Sequence, residues 1–513
     1  MTDNLARICV PVCVQRASEL PAAIESATGL ADLIELRLDY LADDDRGQAL
    51  AFLREFLKHA TSPIVITFRA AEQGGQSTSD PEACRSFWTS LISISGSAFL
   101  DLELDLAISF AAEGSLEESP IDWSRVICSH HDFGGVPSDL DQLYERMAAT
   151  PARILKIAVQ ADDAIDCLPI FRLLERAQRE GRELIAIAMG QAGVMTRILG
   201  PSRGSFLTYG SMDDESATAP GQLTARALRE VYRINKIDHE TEVMGLIGSP
   251  VRHSLSPHIH HAAFETAGVN AVYIPFEVRD VGQFIRRLAH PGSRELDWNL
   301  RGLSVTAPHK TAVMNSLDWI DPAAREIGAV NTIVIRGNEL HGYNTDADGF
   351  ITPLRRKFGL LERARCAIVG AGGGARAALW ALRREGADVA LFVRDLDKAQ
   401  LASRELGVDS YPVSAQPFAG FDIVVNATPL GTRGVREKDT VAVAKQLRGV
   451  RLAYDLVYNP LETRFMREAS SAGCETLGGI EMLLAQAAEQ FKLWIGYEPD
   501  FEVMRAAAHK ELR

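Results

Sequence analysis

The stretch that decides the fold is residues 154–189, ILKIAVQADDAIDCLPIFRLLERAQREGRELIAIAM. It starts and ends with a short apolar run, and the apolar residues between the runs recur at the spacing of one helix face. The pattern therefore predicts a strand, an amphipathic helix and a second strand. The same alternation extends from Cys9 to Gly210, and its predicted strands are ICVPVCV (8–14), LIELRLDY (33–40), IVITFR (64–69), FLDLELDL (99–106), RVICSHHDF (125–133), ILKIAV (154–159), ELIAIAM (183–189) and FLTYG (206–210).

Eight strands that alternate with helices over about 230 residues predict an α/β fold of the closed (β/α)8 type, the TIM barrel. An open doubly wound sheet is the alternative that the same alternation allows. The polar residues favour the barrel, because barrel sites form where the carboxyl ends of the strands meet the following loops. Functional side chains lie in or just after the last part of the runs, namely Glu35, Arg37, Arg69, Asp101, Glu103, His131, Lys156 and Met189.

The composition excludes several classes of partner. The 513 residues include 54 Lys and Arg against 68 Asp and Glu, and no basic stretch offsets the formal net charge of −14. We therefore expect neither nucleic acid nor an anionic membrane as a partner. The seven cysteines are scattered without CxxC spacing, which favours a reducing compartment and argues against a metal site. Without a signal pattern or a membrane-spanning run, the sequence predicts a soluble intracellular protein.

The chain divides into several predicted domains. The polar stretch YRINKIDHETEV (232–243) places a boundary near Asp238, so we predict a barrel domain at 1–237 and a second α/β domain at 243–346. A third domain at 347–480 opens with ARCAIVGAGGGARAALWALRREGADVALFVRD (364–395), which is typical of the strand, glycine turn, helix and strand of a Rossmann fold. The last segment, 481–513, starts with an apolar-striped helix, and we expect it to return to the second domain.

Lys156 lies inside an apolar strand, and His131 ends the preceding strand. Because desolvation disfavours an ammonium, this setting predicts a neutral amine able to attack a carbonyl. The alternative is a lysine that reaches solvent or pairs with Glu103. One residue of register decides whether His130 or His131 points inward. An amine beside a histidine suits imine formation followed by proton transfer at the adjacent carbon.

The first region resembles type I 3-dehydroquinate dehydratase, in the order LIELRLDY, TFRAAEQGGQ (67–76), LDLELD, CSHHDF, ILKIAV, AMGQAGVMTRILG (188–200) and TAPGQL (218–223). The resemblance implies that Lys156 forms a Schiff base with the ketone of 3-dehydroquinate. It also implies that His131 removes a proton from the neighbouring carbon and then helps expel the hydroxyl as water. The implied substrate contacts are Glu35, Arg37, Arg69, Arg197, Thr218 and Gln222.

Three positions depart from the family pattern. Gln73 stands where the family usually has a glutamate that orients the histidine, and a neutral amide removes an anion that would favour charged His131. The neighbouring Glu72 is a candidate replacement. Thr218 stands where a serine is common, and Ile187 stands where a methionine packs on the lysine.

The third region carries a GxGxxA pattern at Gly370, Gly372 and Ala375, between a predicted strand and a helix. In that context a dinucleotide pyrophosphate binds at the helix N-terminus. Arg394 ends the second strand and Lys398 follows one turn later, which favours NADP because basic residues suit the 2′-phosphate. Asp395 between them weakens that preference.

The second and third regions resemble shikimate dehydrogenase, on GLIGSPVRHSLSPHIH (245–260), LSVTAPHK (303–310), GAVNT (328–332), GYNTDADG (342–349), GAGGGAR (370–376), NATPLG (426–431), YDLVYNP (454–460) and GGIEMLLAQA (478–487). The resemblance implies Lys310 and Asp346 as the catalytic pair, which spacing alone does not distinguish from a surface ion pair. The implied shikimate contacts are Ser254, Ser256, Thr306, Asn331, Tyr458 and Gln486. The implied NADP contacts are Gly370, Ala371, Gly372, Gly373, Gly374, Arg394, Lys398, Thr428, Leu456 and Gly479.

Here too the chain departs from the family. Val393 and Asp395 stand where asparagine and threonine are common beside the arginine, and Ser304 replaces a frequent asparagine. Loss of two phosphate-binding groups predicts NADP with a relaxed preference.

The two resemblances fit each other, because the product of the dehydratase, 3-dehydroshikimate, is the substrate of the dehydrogenase. They imply a two-activity enzyme of the shikimate pathway, without a metal, whose order resembles the fused enzyme of plants. We expect a bacterial cytoplasm, or a plastid stroma for a processed plant chain. The alternatives are a catabolic quinate/shikimate dehydrogenase and a non-catalytic sensor on the same folds. The sequence leaves the oligomeric state open.

Overall fold

The computed structural model describes residues 6–78, 80–113, 119–394, 397, 400, 404, 406–413, 418–434 and 436–512. They form two compact units. The first runs to Thr241 and takes in Pro275–Asp280 and Glu295–Trp298, and the second holds the remainder from Glu242. Among these residues no helix combines the length and the apolar character needed to cross a membrane.

The first unit is a parallel barrel. Its strands are β1 Ile8–Val12, β2 Leu33–Arg37, β3 Ile64–Thr67, β4 Phe99–Glu103, β5 Val126–Asp132, β6 Ile154–Gln160, β7 Glu183–Met189 and β8 Thr208–Tyr209. Its helices are α1 Leu20–Thr28, α2 Arg46–Phe56, α3 Pro81–Ile92, α4 Leu104–Ala111, α5 Leu140–Ala148, α6 Leu168–Arg179 and α7 Val194–Leu199.

The strands pair in the order β7-β6-β5-β4-β3-β2-β1-β8, and a parallel bridge from Leu184 to Ser205 nearly closes the ring. The predicted barrel is therefore confirmed, and the open sheet is excluded. A π-helical turn, Ala227–Val231, follows β8.

Side chains alternate between the inside and the outside of the barrel strands. An apolar cluster fills the inside and consists of Cys9, Leu33, Val65, Ile127, Ile154, Ile185, Ile187, Leu207 and Tyr209. Lys156 lies two residues after Ile154 on the same face, and Ser129 lies two residues after Ile127. His131 follows Ser129 by two residues and lines the pocket at the carboxyl ends of the strands, so the inward histidine is His131 rather than His130.

The second unit starts with a mixed sheet. Its strands are β9 Glu242–Gly248, β10 Ala271–Glu277, β11 Leu300–Val305, β12 Trp319–Ile320, β13 Thr332–Arg336 and β14 Glu339–Tyr343, in the order β10-β9-β11-β13-β14-β12. The accompanying helices are α8 Ser256–Thr266, α9 Val281–Phe284, α10 Pro322–Ile327 and α11 Asp346–Phe358. β13 and β14 form a hairpin, with Arg336 paired to Glu339.

A parallel Rossmann sheet follows α11. Its strands are β15 Arg365–Val369, β16 Asp388–Val393, β17 Ser410–Pro412, β18 Ile423–Asn426, β19 Leu452–Asp455 and β20 Glu475–Leu477, in the order β17-β16-β15-β18-β19-β20. The helices are α12 Gly373–Arg384, α13 Arg464–Ser471, α14 Gly479–Ile495 and α15 Phe501–Glu511. The strand order reverses between β15 and β18: from β15 the chain runs outward to β16 and β17, and it then returns to β18 on the other side of β15. Sheets of this type bind their ligands at such a reversal.

The last two helices pack on the first sheet of this unit. Leu484 and Phe491 of α14 and Met504 of α15 belong to one buried cluster with Met244 and Leu246 of β9. The chain thus returns to the mixed sheet after completing the Rossmann sheet.

Gly349 sets the distance between α11 and α14. A Cβ atom on Gly349 would lie 2.8 Å from the Cβ of Gln486 and 3.1 Å from the carbonyl oxygen of Met482. Only glycine therefore allows α11, which starts at Asp346, to lie this close to the helix that carries Gln486.

We expect Gly349→Ala to lower the free energy of unfolding of the second unit by about 1–3 kcal/mol, because the added methyl overpacks this contact. Differential scanning calorimetry of the full chain measures the change. Gly47→Ala in α2 is the matched control, since its Cβ would meet nothing within 4 Å. Equal transition temperatures for the two variants would contradict the assignment.

Candidate active sites

Lys156 ends in the interior of the barrel, 5 % exposed. Its Nζ donates to Oδ2 of Asp101 at 2.8 Å and to the hydroxyl of Tyr209 at 2.9 Å. Oε1 of Glu35 lies 3.6 Å away. The nitrogen is therefore held between two carboxylates and a phenol.

Asp101 serves two cations at once. The same Oδ2 atom accepts from Nη2 of Arg69 at 2.8 Å and from Lys156. Burial opposes ionisation, but Arg69 and Lys156 outweigh it and hold the pKa of Asp101 well below its usual range. Glu103, the alternative partner for Lys156, instead accepts from the backbone N–H of Ala70 at 2.9 Å.

His131 contacts the same arginine. Nη1 of Arg69 lies 2.9 Å from Nδ1 of His131, and because a guanidinium only donates, Nδ1 accepts and the imidazole proton resides on Nε2. Burial, followed by the charges of Arg69 and Lys156, lowers the pKa of His131 well below its ordinary value. The histidine is thus neutral in this arrangement.

Gln73 acts on the backbone of the histidine rather than on its ring. Its Oε1 accepts from the backbone N–H of His131 at 2.8 Å. Glu72 is exposed and does not line the pocket, so it does not replace the missing carboxylate.

The arginines of the pocket differ in their partners. Arg37 donates twice to Asp39, at 2.9 and 2.8 Å, so its charge is compensated. Arg197 is 2 % exposed, its Nε has no hydrogen-bond partner among the described residues, and burial lowers its pKa to about 10. Arg197 is therefore a cation prepared for an anionic ligand.

One pocket at the carboxyl ends of the barrel strands brings the predicted residues together. It is lined by Glu35, Arg37, Arg69, His131, Lys156, Arg197, Thr218 and Gln222, with Gln73, Ile187, Met189 and Tyr209. Gln222 fixes the loop, because its Oε1 accepts from both the N–H and the hydroxyl of Thr218, at 2.7 and 3.1 Å.

The second unit contains a cleft of about 640 Å³. The predicted residues that line it are Ser254, Ser256, Thr306, Lys310, Asn331, Asp346, Tyr458, Gln486, Gly374, Thr428, Leu456 and Gly479. Nζ of Lys310 donates to Oδ2 of Asp346 at 2.5 Å, and the Asn331 amide donates to Oδ1 at 2.9 Å. Asp346 is buried and the lysine is partly open to the cleft, so the pair is not a surface ion pair.

The glycine turn lies beside this pair. Gly370 has φ +123°, and a Cβ there would approach the Ala427 carbonyl oxygen to 2.8 Å. A Cβ on Gly373 would lie 2.8 Å from Cδ of Lys310, so the lysine stem packs on the start of α12. Arg394 is exposed at the end of β16, and Gly370, Ala371, Gly372 and Gly373 lie in the turn rather than in the cleft lining. Lys398 and Asp395 lie outside the described residues.

Comparisons with known proteins identify a family for each unit. Residues 8–239 match the family model of type I 3-dehydroquinase, residues 246–333 match the shikimate dehydrogenase substrate-binding domain, and residues 479–509 match the shikimate 5′-dehydrogenase C-terminal domain. The chloroplastic bifunctional 3-dehydroquinate dehydratase/shikimate dehydrogenase of Arabidopsis thaliana is 33 % identical over 522 residues, covering 97 % of this chain and 83 % of the relative. The chain belongs to this bifunctional family.

Two further known proteins match this chain over different lengths. The shikimate biosynthesis protein AroDE of Chlamydia pneumoniae is 28 % identical over 96 % of each chain. A crystal structure of a shikimate dehydrogenase in complex with NADP+ is 36 % identical, with a TM-score of 0.50, and covers 54 % of this chain and 98 % of its own. The first unit is accordingly the dehydratase unit, and the second is the dehydrogenase unit, whose cofactor is NADP.

The dehydrogenase unit fits that cofactor. α12 begins at Gly373 without a side-chain cap, so its first N–H groups are available to a pyrophosphate. The glycines at this turn leave room for close approach, as the contacts of Gly370 and Gly373 show. Among the described residues no cluster of His, Cys, Asp or Glu is arranged to hold a metal ion.

Two residues of the dehydratase site were missed by the sequence analysis. Asp101 was placed at a strand end but not as the partner of Lys156, and Tyr209 was noted only as part of an apolar run. The available signal was the alternation of side chains along each strand, because Asp101 and Tyr209 occupy inward positions of β4 and β8. Which inward side chains meet depends on barrel closure, which strand patterns do not specify.

Replacing Arg197 by methionine should raise the KM for the anionic substrate of the dehydratase about 10- to 100-fold, because a charge-assisted contact contributes about 1.5–3 kcal/mol. Steady-state kinetics measures it. Thermal stability should not fall, since the substitution removes a buried cation that has no acidic partner among the described residues. Arg153→Met, which breaks an exposed pair with Glu183, is the control. An unchanged KM, or a large loss of stability, would contradict the assignment.

Proposed function

We propose that the dehydratase unit converts 3-dehydroquinate to 3-dehydroshikimate through a Schiff base on Lys156, and that the dehydrogenase unit reduces 3-dehydroshikimate to shikimate with NADPH. The observation that carries the first assignment is the convergence of Lys156, His131 and uncompensated Arg197 in one barrel pocket. Lys310 and Asp346, in contact beside the glycine turn, support the second.

Lys156 condenses with the ketone and becomes an iminium, which draws electrons from the neighbouring carbon. Because the iminium keeps one positive charge, Asp101 pairs with the nitrogen before and after condensation. The electrostatic environment therefore changes little during imine formation.

His131 carries the proton of the elimination. A base needs a nitrogen with a free lone pair, and in the structure Nδ1 accepts a hydrogen bond from Arg69. When Arg69 binds the substrate, Nδ1 is released and the imidazole takes the proton from the activated carbon. The same imidazole then protonates the departing hydroxyl, which leaves as water.

In the dehydrogenase unit Lys310 donates a proton to the ketone oxygen as that oxygen gains negative charge. Asp346 holds Lys310 in place by accepting its hydrogen bond, and Asn331 in turn donates to Asp346. Ser254, Ser256, Thr306, Tyr458 and Gln486 surround the remaining cleft and supply hydrogen bonds to hydroxyls and a carboxylate. The glycine turn, Arg394, Thr428, Leu456 and Gly479 would hold NADPH, which would supply the hydride when bound. The proposal also assigns Lys398, which lies outside the described residues, to this cofactor.

The proposal includes the domain bounds 1–237, 243–346, 347–480 and 481–513. It also includes a reducing compartment, a cytoplasm or plastid stroma, because all seven cysteines are free. A sensor that does not turn over its ligand has no need of Lys156, His131, Lys310 and Asp346, and all four are present.

The first experiment gives the protein 3-dehydroquinate and NADPH and measures shikimate. We expect Lys156→Met to abolish formation of 3-dehydroshikimate, and hence of shikimate, from 3-dehydroquinate while leaving reduction of added 3-dehydroshikimate intact. We expect Lys310→Met to abolish that reduction while leaving the formation of 3-dehydroshikimate from 3-dehydroquinate intact. Borohydride should trap the ligand on Lys156, and peptide mapping would identify the modified residue. The control is Lys58→Met, which breaks an exposed pair with Glu55. An adduct on another lysine, or faster turnover of quinate than of shikimate, would refute the proposal.

The second experiment compares the cofactors. We expect a higher kcat/KM with NADPH than with NADH, and we expect Arg394→Met to reduce the NADPH value about tenfold while leaving the NADH value unchanged, because one phosphate contact is lost. Arg384→Met, an exposed arginine of α12 that contacts Trp380, is the control. Equal values for NADH and NADPH in the unaltered protein would show that Asp395 dominates.

A further inference from the structure

Among the described residues that contact the Lys156 nitrogen, Tyr209 is uncharged and has no role assigned above. Its hydroxyl lies 2.9 Å from Nζ, and Nζ lies 4.4 Å from the centre of its ring. The residue is 6 % exposed and lines the dehydratase pocket. Tyr209 pairs with Cys9 in the register of β8 and β1, and its hydroxyl contacts the Cys9 thiol.

The other neighbours of Nζ are poorly suited to move its proton. Asp101 is held ionised by two cations and cannot keep a proton. Oε1 of Glu35 lies at 3.6 Å and already accepts from the Thr67 hydroxyl at 2.8 Å. A group that accepts one proton while giving up another is needed, because the ammonium must lose protons and the ketone oxygen must gain them.

A neutral phenol has that property, since its oxygen accepts and its O–H donates. Burial, followed by the negative charge of Glu35, raises the pKa of Tyr209 well above its ordinary value, so the phenol remains protonated. Tyr209 can therefore exchange protons without becoming an isolated buried anion.

We propose that Tyr209 is a further catalytic residue of the dehydratase, whose phenol carries protons from Lys156 to the ketone oxygen during imine formation. This rests on the proposed Schiff base at Lys156. The oxygen concerned is attached to the carbon that Nζ bonds, so the phenol has both atoms as near neighbours.

The step balances without any further reactant. The ammonium passes one proton to the phenol oxygen as the phenolic proton moves to the ketone oxygen, and the freed lone pair forms the C–N bond. A second proton leaves the nitrogen by the same exchange, the C–O bond breaks, and water departs as the C=N bond forms. Of the three ammonium protons, two end in water and one remains on the iminium; nothing is oxidised or reduced.

The test is Tyr209→Phe in the full chain, which keeps the ring over Nζ and removes only the hydroxyl. The protein is mixed with 3-dehydroquinate, quenched into borohydride at successive times and weighed by intact mass. We expect the rate of adduct formation to fall about 100-fold, in the range of general acid–base contributions, with the same final adduct on Lys156. The KM should change by no more than about twofold.

The pH profile separates proton transfer from a structural effect. Without the phenol the ammonium loses its proton to solvent, so the rate of the variant should rise with pH more steeply than that of the unaltered protein. Shikimate dehydrogenase activity of the same molecules serves as an internal measure of intact protein. Tyr144→Phe is the matched control, because it removes a hydroxyl that donates to Glu180 at 2.8 Å in the same unit.

An unaltered rate in Tyr209→Phe, or an equal fall at every pH with lower thermal stability, overturns the role of Tyr209 alone. Absence of any adduct on Lys156 in the unaltered protein refutes the Schiff base, and the role of Tyr209 with it. If the variant does not fold, a proton inventory of imine formation in the unaltered protein decides: a curved dependence on deuterium content supports coupled transfers, and a linear one excludes them.

Discussion

The dehydratase site depends on one buried oxygen atom, Oδ2 of Asp101, which accepts hydrogen bonds from both Lys156 and Arg69. Burying three charges is costly unless each is paired, and here one carboxylate is shared by two cations. The shared atom fixes the lysine nitrogen and the guanidinium relative to each other, and through the guanidinium it fixes His131. Glu35 forms a second ion pair with the same lysine at 3.6 Å, so Arg197 supplies the positive charge that the pocket offers to an anion.

The two units solve a similar problem with different architecture. Each positions a lysine against an aspartate, but the barrel encloses Lys156 completely, whereas Lys310 reaches into an open cleft. An enclosed nitrogen suits covalent chemistry that must exclude water, and an open one suits a proton donor that solvent can recharge. The barrel builds its site from strand ends, while the dehydrogenase unit builds its site between two sheets.

Much of this was predictable, because it is local. The runs around Lys156 and the glycine turn at Gly370 specify their strands and helices through periodicity and composition. Pairing was not predictable. Lys310 follows β11 and Asp346 follows β14 of the same mixed sheet, so their meeting depends on its strand order. Asp101 meets Lys156 only because β4 and β6 face one lumen, and sequence spacing contains neither distance. The partners of Lys156 were missed for this reason, since an apolar strand was visible and its buried carboxylate partner was not. The choice between His130 and His131 was settled by the inward face shared with Ser129.

The contact between the Lys310 stem and Gly373 has a consequence for inhibition. Because the lysine proposed to act on the cyclic acid lies directly on the turn proposed to hold the dinucleotide, the two proposed ligand sites share one continuous cleft within the dehydrogenase unit. A single synthetic molecule that joins a carboxylate-bearing ring to a nucleotide fragment would lose its translational freedom only once on occupying both. Such bisubstrate compounds gain affinity through linkage itself, at the effective concentrations that short tethers produce.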